Sequence, residues 1–276
     1  MSLFITSLNS GSNGNCYYIG NREEAIIVDA GLSCRETEKR MKRLGLDITT
    51  IKAVFVSHEH ADHVFGLPVL SKKYQLPVYI TERTRMYSGL NLQPHLVRAF
   101  NAYDPVEIGS IIVHAFPKDH DAADPHSFIV SSEGVKVGIF TDIGNACNNV
   151  TDGFSQCNAV FLESNYDEAM LMNGRYPYYL KQRIRGGKGH LSNKQAFELF
   201  TGCRSPYMSH LLLSHLSREN NTHDIVNGIF QPHSNDTTIV IASRYKETAV
   251  YEIPPTYSAP VRFAERRRAV EQLSLF

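Results

Sequence analysis

The amino-acid sequence predicts an α/β sandwich whose functional residues lie along one edge of its sheets. Short β-branched runs recur in both halves of the chain, and segments with helical spacing follow them. Several of these runs lead directly into loops that contain His or Asp. A length of 276 residues with 42% hydrophobic residues is enough to bury a large core, which excludes disordered and fibrous proteins.

The first half begins with three predicted strands and a helix. The strands cover residues 3–8, 16–19 and 25–28, and the turn formers SGSNGN separate the first two. The predicted helix covers residues 33–44, with Ser33 as N-cap and Gly45 just beyond its end. A buried strand at residues 53–57 then leads into HEHADH, and a helix is predicted at residues 64–74.

The remaining elements continue the pattern to the end of the domain. Strands are predicted at residues 78–81, 111–116, 128–130, 135–141, 159–163 and 210–214, and helices at residues 193–200 and 221–230. From Pro254 the composition changes to PPTYSAP, which is typical of an extended linker, followed by a short basic helical segment. We therefore predict one domain at residues 1–252 and a tail at residues 253–276.

The charge balance limits the classes of partner. The chain has 28 Lys and Arg against 28 Asp and Glu, so a nucleic-acid partner must be argued from a local patch. The N-terminus lacks the basic region of a signal peptide, and no apolar run is long enough to span a membrane. The five cysteines form no CxxC pair, which favours reduced thiols. We expect a cytoplasmic protein without a membrane partner.

The HEHADH segment predicts a metal site. It places His58, His60, Asp62 and His63 within six residues, directly after a buried strand. In a tight loop, His58 and His60 can face one cation while Asp62 and His63 face a second. Imidazole and carboxylate donors suit zinc, manganese or iron, and the lack of cysteine argues against a structural zinc site.

The pattern H-x-H-x-D-H after a short hydrophobic strand resembles the metallo-β-lactamase superfamily. The resemblance implies a four-layer αββα sandwich of two pseudo-repeated halves. It also extends to Asp29 after AIIV, His120 in KDHDA, Asp142 in TDIG and His215 in SHLS. Asp29 matches an acid that supports the metal loop from behind the ligands.

The site implied by this resemblance holds two divalent metal ions. His58, His60 and His120 would bind one ion, Asp62, His63 and His215 the other, and Asp142 would lie between them. Two ions so placed lower the pKa of a shared water and prepare it for hydrolysis, which makes Asp62 and Asp142 catalytic candidates. His114 and His126 are alternatives to His120, and His210 and His223 are alternatives to His215.

Residues 169–197 form a local basic segment. The segment contains no Asp or Glu, and its cations are Arg175, Lys181, Arg183, Arg185, Lys188 and Lys194, with Tyr176, Tyr178 and Tyr179 among them. This composition favours binding of a polyanion, with tyrosines that can stack on bases. The substrate-binding candidates are Arg175, Arg183, Arg185 and Lys188. The alternative is a solvated face whose tyrosines only pack.

The GKGHLSN sequence within this segment adds a catalytic candidate. His190 precedes a predicted helix start near Ser192, where backbone amides can bind phosphate. His190 is suited either to hold a phosphate oxygen or to protonate the leaving group. The alternative is that Ser192 only caps its helix.

The strings GSNGN, SHEHADH, DHDA, TDIG, ESN, GRYP, GHLSN and SHLSRENN closely resemble the WalJ/YycJ-like branch of the superfamily, over residues 3–250. This resemblance implies exonuclease activity on DNA from 5′ ends, and the C-terminal peptide described below would link that activity to replication or repair. The resemblance places Glu163 and Asn165 at the rim of the site, with Asn165 as a substrate contact. The rival predictions are a metal-dependent acyl hydrolase, acting on lactones or thioesters, and a nonenzymatic adaptor.

The C-terminus suggests a protein partner. Gln272, Leu273, Leu275 and Phe276 resemble the short peptide with which bacterial replication proteins bind the DNA polymerase sliding clamp. Such a peptide places its apolar side chains in a groove of the partner. The alternative is an amphipathic helix that folds back on the core.

Overall fold

The computed structural model describes residues 1–255 and 261–263, and in these residues two seven-stranded sheets pack face to face between helices. The first sheet has the strand order β14-β1-β2-β3-β4-β5-β6 and the second β13-β12-β11-β10-β9-β8-β7. The predicted α/β sandwich of four layers is therefore confirmed. Among the described residues, no helix has the length and apolar character needed to cross a bilayer.

The strands of the first sheet, in chain order, are β1 (Leu3–Asn9), β2 (Cys16–Gly20), β3 (Ala25–Val28), β4 (Ile51–Phe55), β5 (Val78–Tyr79) and β6 (Val97–Arg98), with β14 (Tyr251–Ile253) from the end of the domain. Those of the second sheet are β7 (Pro105–Ile108), β8 (Ile111–Pro117), β9 (His126–Ser132), β10 (Val135–Phe140), β11 (Ala159–Glu163), β12 (His210–Ser214) and β13 (Thr238–Ile241). The α-helices are α1 (Cys34–Arg43), α2 (Ala61–Val64), α3 (Leu67–Tyr74), α4 (Glu82–Ser88), α5 (Asn148–Phe154), α6 (Glu168–Asn173), α7 (Tyr178–Arg185), α8 (Asn193–Cys203) and α9 (His223–Phe230).

Successive side chains along a central strand point to opposite faces of the sheet and belong to different hydrophobic cores. In β3, Ile26 faces the second sheet, whereas Ile27 packs with the α1 and α3 layer. In β11, Phe161 faces the first sheet and Leu162 packs with the α8 layer. Both faces of the central strands are buried, which explains why these segments are continuous apolar runs in the sequence.

Parallel strand pairing brings the polar residues to one edge of the sandwich. Strands β3 and β4 are parallel, as are β10, β11 and β12. Because parallel strands end at the same edge of a sheet, the residues that follow them are neighbours. The candidate residues Asp29, His58, Asp142, Glu163 and His215 lie at or just after these strand ends.

Three of the candidate residues have left-handed backbones. Asp29 has a φ of 60°, Asp142 of 54° and His215 of 57°. This region is uncommon for residues other than glycine and is concentrated at functional sites, where the surrounding structure compensates its cost. Each of the three lies at most two residues beyond the end of a strand, and its side chain contacts another candidate residue.

The prediction of one continuous helix at residues 64–74 is wrong. The structure divides it into α2 and α3, with Gly66 as the N-cap of α3. Pro68 has no N–H to donate to the carbonyl of Val64, so one helix cannot continue through this point. The backbone of Gly66 also approaches the Leu32 carbonyl so closely that a Cβ would lie 1.7 Å from its oxygen.

Several short elements have no counterpart in the sequence prediction. These are helices α4, α5, α6 and α7 and strands β6, β7, β13 and β14. Each has eight residues or fewer, so its periodicity is too short to distinguish from a loop. Two of them, α6 and α7, fall within or beside the basic segment.

Two described residues beyond position 252, the predicted end of the domain, contact the sandwich. Strand β14 ends at Ile253, which pairs with Leu3. Phe263 is buried, with its ring 4.9 Å from that of Phe116 and 5.3 Å from that of Tyr103. Phe263, which follows the predicted linker in the predicted tail, thus packs on the second sheet. Residues 272–276, which carry the predicted clamp peptide, lie outside the described residues, and the division into domain and tail remains a prediction.

We predict that Phe263→Ala lowers the free energy of unfolding by about 3 kcal/mol, because a buried aromatic ring leaves a cavity when it is removed. Urea unfolding followed by circular dichroism measures the change. Met86→Ala is the control, since Met86 is 66% exposed on α4. A loss as small as that of the control would show that Phe263 does not stabilise the domain.

Candidate metal centre

The HEHADH loop is fastened to the first sheet by the buried carboxylate of Asp29. Ser57 donates to this carboxylate from its backbone N–H and from its hydroxyl, each at 2.8 Å. The Nδ1 of His63 lies 2.7 Å from Asp29 Oδ2, which leaves its Nε2 directed away from the sheet. Asp29 therefore sets the orientation of the loop and of one imidazole within it.

Three histidines form the first donor set. His58 Nε2 lies 3.0 Å from His60 Nδ1, and His120 Nε2 lies 3.4 Å from the same atom. Each of the two buried rings is oriented through its other nitrogen: His58 Nδ1 contacts the Ser57 hydroxyl at 2.9 Å, and His120 Nδ1 contacts the Gly189 carbonyl at 3.0 Å. The three donor nitrogens are close enough to hold one ion.

Asp62, His63 and His215 form the second donor set. His63 Nε2 lies 3.6 Å from Asp62 Oδ2, and His215 Nε2 lies 3.5 Å from the same oxygen. The structure therefore brings together the six ligands that the sequence assigned to two ions. His126 lies outside these donor sets, because its Nδ1 contacts the Asp124 carbonyl and its ring packs on Phe100.

Asp142 lies between the two donor sets. One of its carboxylate oxygens, Oδ2, is 3.2 Å from His63 Nε2 in the second set. Its other oxygen, Oδ1, is 3.9 Å from His120 Nε2 in the first set and 3.5 Å from His215 Nδ1. A carboxylate in this place can bridge two cations.

The chemistry of these donors fits divalent metal ions. Asp142 Oδ2 and His215 Nε2 are buried atoms that make no hydrogen bond within the described part of the chain. Buried polar atoms without partners are costly, and both atoms are directed toward the other donors. Five imidazoles and two carboxylates without cysteine match the preference of zinc, manganese or iron.

Burial keeps two rings of the first set, His58 and His120, in the neutral form that binds metals. It lowers the pKa of His58 well below its ordinary value and that of His120 to about 4. In the second set, burial also opposes a charge on His215, but Asp142, Asp62 and Glu163 outweigh it and raise its pKa to about 10. The second half of the site is thus a strongly negative environment, which favours a cation.

The buried carboxylate of Glu163 holds two imidazole rings of the site in place. Its Oε1 lies 2.8 Å from His215 Nδ1 and 2.8 Å from His190 Nδ1. Its Oε2 accepts from the backbone N–H groups of Ile143 and Leu191. Glu163 is fully buried, so its predicted place at the rim is wrong. The continuous apolar run of β11 predicts a buried strand but does not show that the carboxylate at its end lies beneath the site.

Two polar residues near the ligands were not assigned from the sequence. Asn15 Nδ2 lies 3.1 Å from Asp62 Oδ2 and 3.1 Å from His63 Nε2. The Ser10 hydroxyl accepts from the backbone N–H of His215 at 2.7 Å. Both belong to the SGSNGN turn, for which the sequence offers two signals: its density of turn formers and the GSNGN string of the family resemblance.

A cleft of about 300 Å³ lies over the donor sets. Helix α7 forms one wall of this cleft with Leu180, Arg183 and Ile184, and Tyr176 lies beside them. His190 also lines the cleft, as Asn165 does, although the Asn165 amide already donates to the His215 carbonyl at 2.7 Å. The basic segment is therefore adjacent to the metal donors.

The structure separates the four predicted cationic contacts. Arg183 lines the cleft but is paired with Asp121. Arg175 and Lys188 are exposed before and after α7. The structure does not bring Arg185 into the cleft, because it lines a separate cavity together with Lys194. Successive residues of a helix point in different directions, so α7 cannot present Arg183 and Arg185 to the same surface.

The phosphate-binding role predicted for backbone amides near Ser192 is wrong. The N–H groups of Gly189 and His190 donate to the carbonyls of Gly186 and Ile184, and that of Leu191 to Glu163. Ser192 caps α8 through a capping box with Gln195. The N–H groups of residues 189–191 are therefore occupied, whereas the side chain of His190 remains available to a substrate.

Comparisons with known proteins agree with this geometry. A family model of the metallo-beta-lactamase superfamily matches residues 10–156. The protein is 36% identical over 233 residues to Exodeoxyribonuclease YycJ of Bacillus anthracis, covering 82% of this chain and 86% of that one. It is 27% identical over 262 residues to Exodeoxyribonuclease WalJ of Streptococcus pneumoniae, covering 92% and 95%.

A solved structure is similar over most of the chain. The metallo-beta-lactamase fold protein YhfI from Bacillus subtilis has a TM-score of 0.67 at 17% identity, covering 91% of this chain and 100% of that one. The similarity supports the fold. Together with the clustered His and Asp donors, the family match makes the chain a metal-dependent hydrolase. The chain belongs to the metallo-β-lactamase superfamily, with the YycJ and WalJ proteins among its relatives.

Proposed function

We propose that the protein is a dinuclear-metal-dependent phosphodiesterase that acts on DNA as a 5′ exonuclease. The observation that carries this proposal is the pair of three-residue donor sets joined by Asp142, beneath a cleft whose wall is the basic, tyrosine-containing segment around α7. The names of the YycJ and WalJ relatives support DNA as the substrate and an exonucleolytic action.

In this proposal, seven side chains are the metal ligands and Asp29 orients one of them. His58, His60 and His120 hold one ion, and Asp62, His63 and His215 hold the second, with Asp142 between them. When bound, two such ions neutralise phosphate charge and supply an acidified water for hydrolysis. Asp29 keeps the His63 ring in the orientation that presents Nε2.

His190 is the proton donor in the proposed reaction. Its Nδ1 is hydrogen-bonded to Glu163 and its ring lines the cleft, so its Nε2 is the nitrogen available to a substrate. An imidazole held by a buried carboxylate is suited to protonate the leaving oxygen of a phosphodiester. Glu163 positions this ring and does not contact the substrate.

The segment around α7 contacts the nucleic acid in this proposal. Tyr178 and Tyr179 are 72% and 74% exposed, which makes their rings available for stacking on bases. Arg175 and Lys188 are exposed at the two ends of α7 and can follow a phosphate backbone. Arg183 lines the cleft itself but shares its charge with Asp121.

We predict that the purified protein degrades end-labelled DNA in the presence of zinc or manganese and that a chelator abolishes the activity. Oligonucleotides labelled at the 5′ or at the 3′ end show the polarity of cleavage. Asp142→Asn should lower kcat more than the roughly 10–100-fold typical of residues that only support a ligand, with an unchanged circular dichroism spectrum.

Three results would contradict the proposed function. A fully active Asp142→Asn variant would show that the reaction does not need the carboxylate between the two donor sets. Absence of DNA cleavage with either metal, together with hydrolysis of a lactone or thioester, would establish the rival acyl hydrolase. Absence of hydrolysis of all these substrates would favour the nonenzymatic adaptor.

We predict that Glu163→Gln and His190→Gln differ in their effects. Glu163 accepts four hydrogen bonds with two oxygens, and an amide has only one oxygen to accept them. Glu163→Gln should therefore weaken the binding of one metal ion about 10–100-fold, through His215, and also lower kcat. His190→Gln should lower kcat about 100-fold or more without changing metal binding.

Metal titration and steady-state kinetics on the same preparations separate these effects. If Glu163→Gln binds both metal ions as tightly as the wild type, Glu163 does not position His215. If His190→Gln retains full kcat, the proton donor must be sought elsewhere.

We also propose that residues 272–276 bind the DNA polymerase sliding clamp and link the protein to replication or repair. The proposal depends on the sequence of Gln272, Leu273, Leu275 and Phe276. Deletion of these five residues should abolish clamp binding in surface plasmon resonance and leave cleavage of free DNA intact. An unchanged affinity for the clamp after the deletion would contradict the proposal.

A further inference from the structure

A second concave surface adjoins the metal cleft. Six of its residues are Ser10, Ser217, Arg218, Ser243, Arg244 and Tyr245, and we name this surface the arginine shelf. Ser217 lines both the shelf and the metal cleft. Ser12, in the metal cleft, accepts a hydrogen bond of 2.9 Å from Arg244 Nη2. The shelf is therefore continuous with the cleft through Ser12 and Ser217, and it includes no residue of α7.

The shelf has the composition of a phosphate-binding surface. Its polar groups are mainly hydroxyls and guanidinium groups, and among the residues that the structure describes no Asp or Glu lines it. Arg218 forms a solvent-exposed ion pair with Glu219, whose Oε1 lies 3.6 Å from Arg218 Nε, but Glu219 does not line the shelf. Exposed ion pairs of this kind are weak, so Arg218 can exchange this partner for a phosphate. The metal cleft, by contrast, is lined by Asp62, Asp121 and Asp142. Arginine and hydroxyl groups without competing carboxylates are typical contacts of phosphate oxygens.

Arg244 has an unused donor at this surface. Its Nε is buried and makes no hydrogen bond to any described residue, while its Nη2 donates to Ser12. A buried guanidinium nitrogen without an acceptor is costly. The planar arrangement of guanidinium donors matches the oxygens of a phosphate.

The shelf is built into the structure before any ligand binds. The buried Arg40 donates from Nη1 to the Leu8 carbonyl and to Asn9 Oδ1, each at 2.8 Å, and from Nη2 to the Tyr245 carbonyl at 3.3 Å. The Ser10 N–H donates to the Ser243 carbonyl at 3.2 Å. Arg40 thus fixes the two chain segments that form the shelf relative to each other, which reduces the entropic cost of binding.

The shelf is also joined directly to a metal ligand. Ser10 accepts the backbone N–H of His215 at 2.7 Å, and Ser217 and Arg218 follow His215 in the chain. A ligand on the shelf and a ligand at the metal centre are consequently held at a fixed separation. This arrangement suits a polymer with regularly spaced phosphates.

We propose that the arginine shelf binds a backbone phosphate of a single DNA strand while a neighbouring phosphodiester of the same strand lies over the metal centre. The inference rests on the proposed nuclease function. Arg218 and Arg244 contact the phosphate, and Tyr245, which is 75% exposed, stacks on an adjacent base. The strand is then held on two sides of the reacting bond, by the α7 segment and by the shelf.

The double variant Arg218→Gln/Arg244→Gln tests this assignment with the metal-loaded full chain and single-stranded oligonucleotides. We expect its KM for a long oligonucleotide to rise about tenfold with kcat within about twofold of the wild type. The plot of log(kcat/KM) against log salt has a negative slope, and each phosphate contact contributes roughly 0.7 to its steepness for a single strand. The slope of the double variant should therefore be shallower than that of the wild type by about 0.7. The effect on KM should diminish when the substrate is shortened to a dinucleotide.

The matched control is Arg22→Gln. Arg22 lies in the turn between β2 and β3, at the opposite end of β3 from Asp29. Metal content and melting temperature of both variants confirm folding. A double variant with the KM and salt slope of the control, in a protein whose wild type cleaves DNA, would overturn the shelf alone. A wild type that neither cleaves nor binds DNA would overturn the proposed function and the shelf together.

Discussion

The site depends on buried carboxylates at strand ends that orient imidazoles. In the first sheet, Asp29 accepts hydrogen bonds from Ser57 and fixes the ring of His63. In the second sheet, Glu163 fixes the rings of His215 and His190. Each half of the sandwich thus contributes one carboxylate that is removed from solvent and binds no substrate itself. Without these two groups the rings of His63, His190 and His215 would lose the partners that orient them, and the donor sets would lose their geometry.

The two halves of the protein are joined at the same place where the chemistry is located. The SGSNGN turn of the first half contacts His215 of the second through Ser10, and His63 Nε2 of the first half lies 3.2 Å from Asp142 Oδ2 of the second. The backbone of Gly31 approaches Asp62 so closely that a Cβ would lie 1.8 Å from its carbonyl oxygen. Relative movement of the sheets would therefore disturb the ligands, so we regard the centre as rigid and the surrounding surfaces as the determinants of substrate choice.

Much of this organisation could be predicted from the sequence, for identifiable reasons. Strands 25–28, 159–163 and 210–214 were predicted at their observed bounds because both of their faces are buried and the apolar runs are continuous. His58, His60, Asp62 and His63 were assigned because they are contiguous in the chain. The choice of His120 over His126 was an expectation from the motif, and only the packing of His126 on Phe100 gives a physical reason for it.

Other features could not be predicted because they arise from distant segments or from orientation. The direction of Arg185 depends on a helix whose boundaries the sequence did not reveal. The burial of Glu163 depends on how β11 ends relative to β10 and β12. The arginine shelf combines residues near positions 10, 217 and 244, so it has no contiguous motif.

The number of metal ions bound per chain tests the central claim most directly. The chain should be stripped of metal with a chelator and titrated with zinc, and the bound metal measured by elemental analysis after gel filtration. Two donor sets joined by Asp142 predict two equivalents for the wild type, and one equivalent for a variant that lacks His58 and His60. Saturation of the wild type at a single equivalent, or at none, would contradict the account.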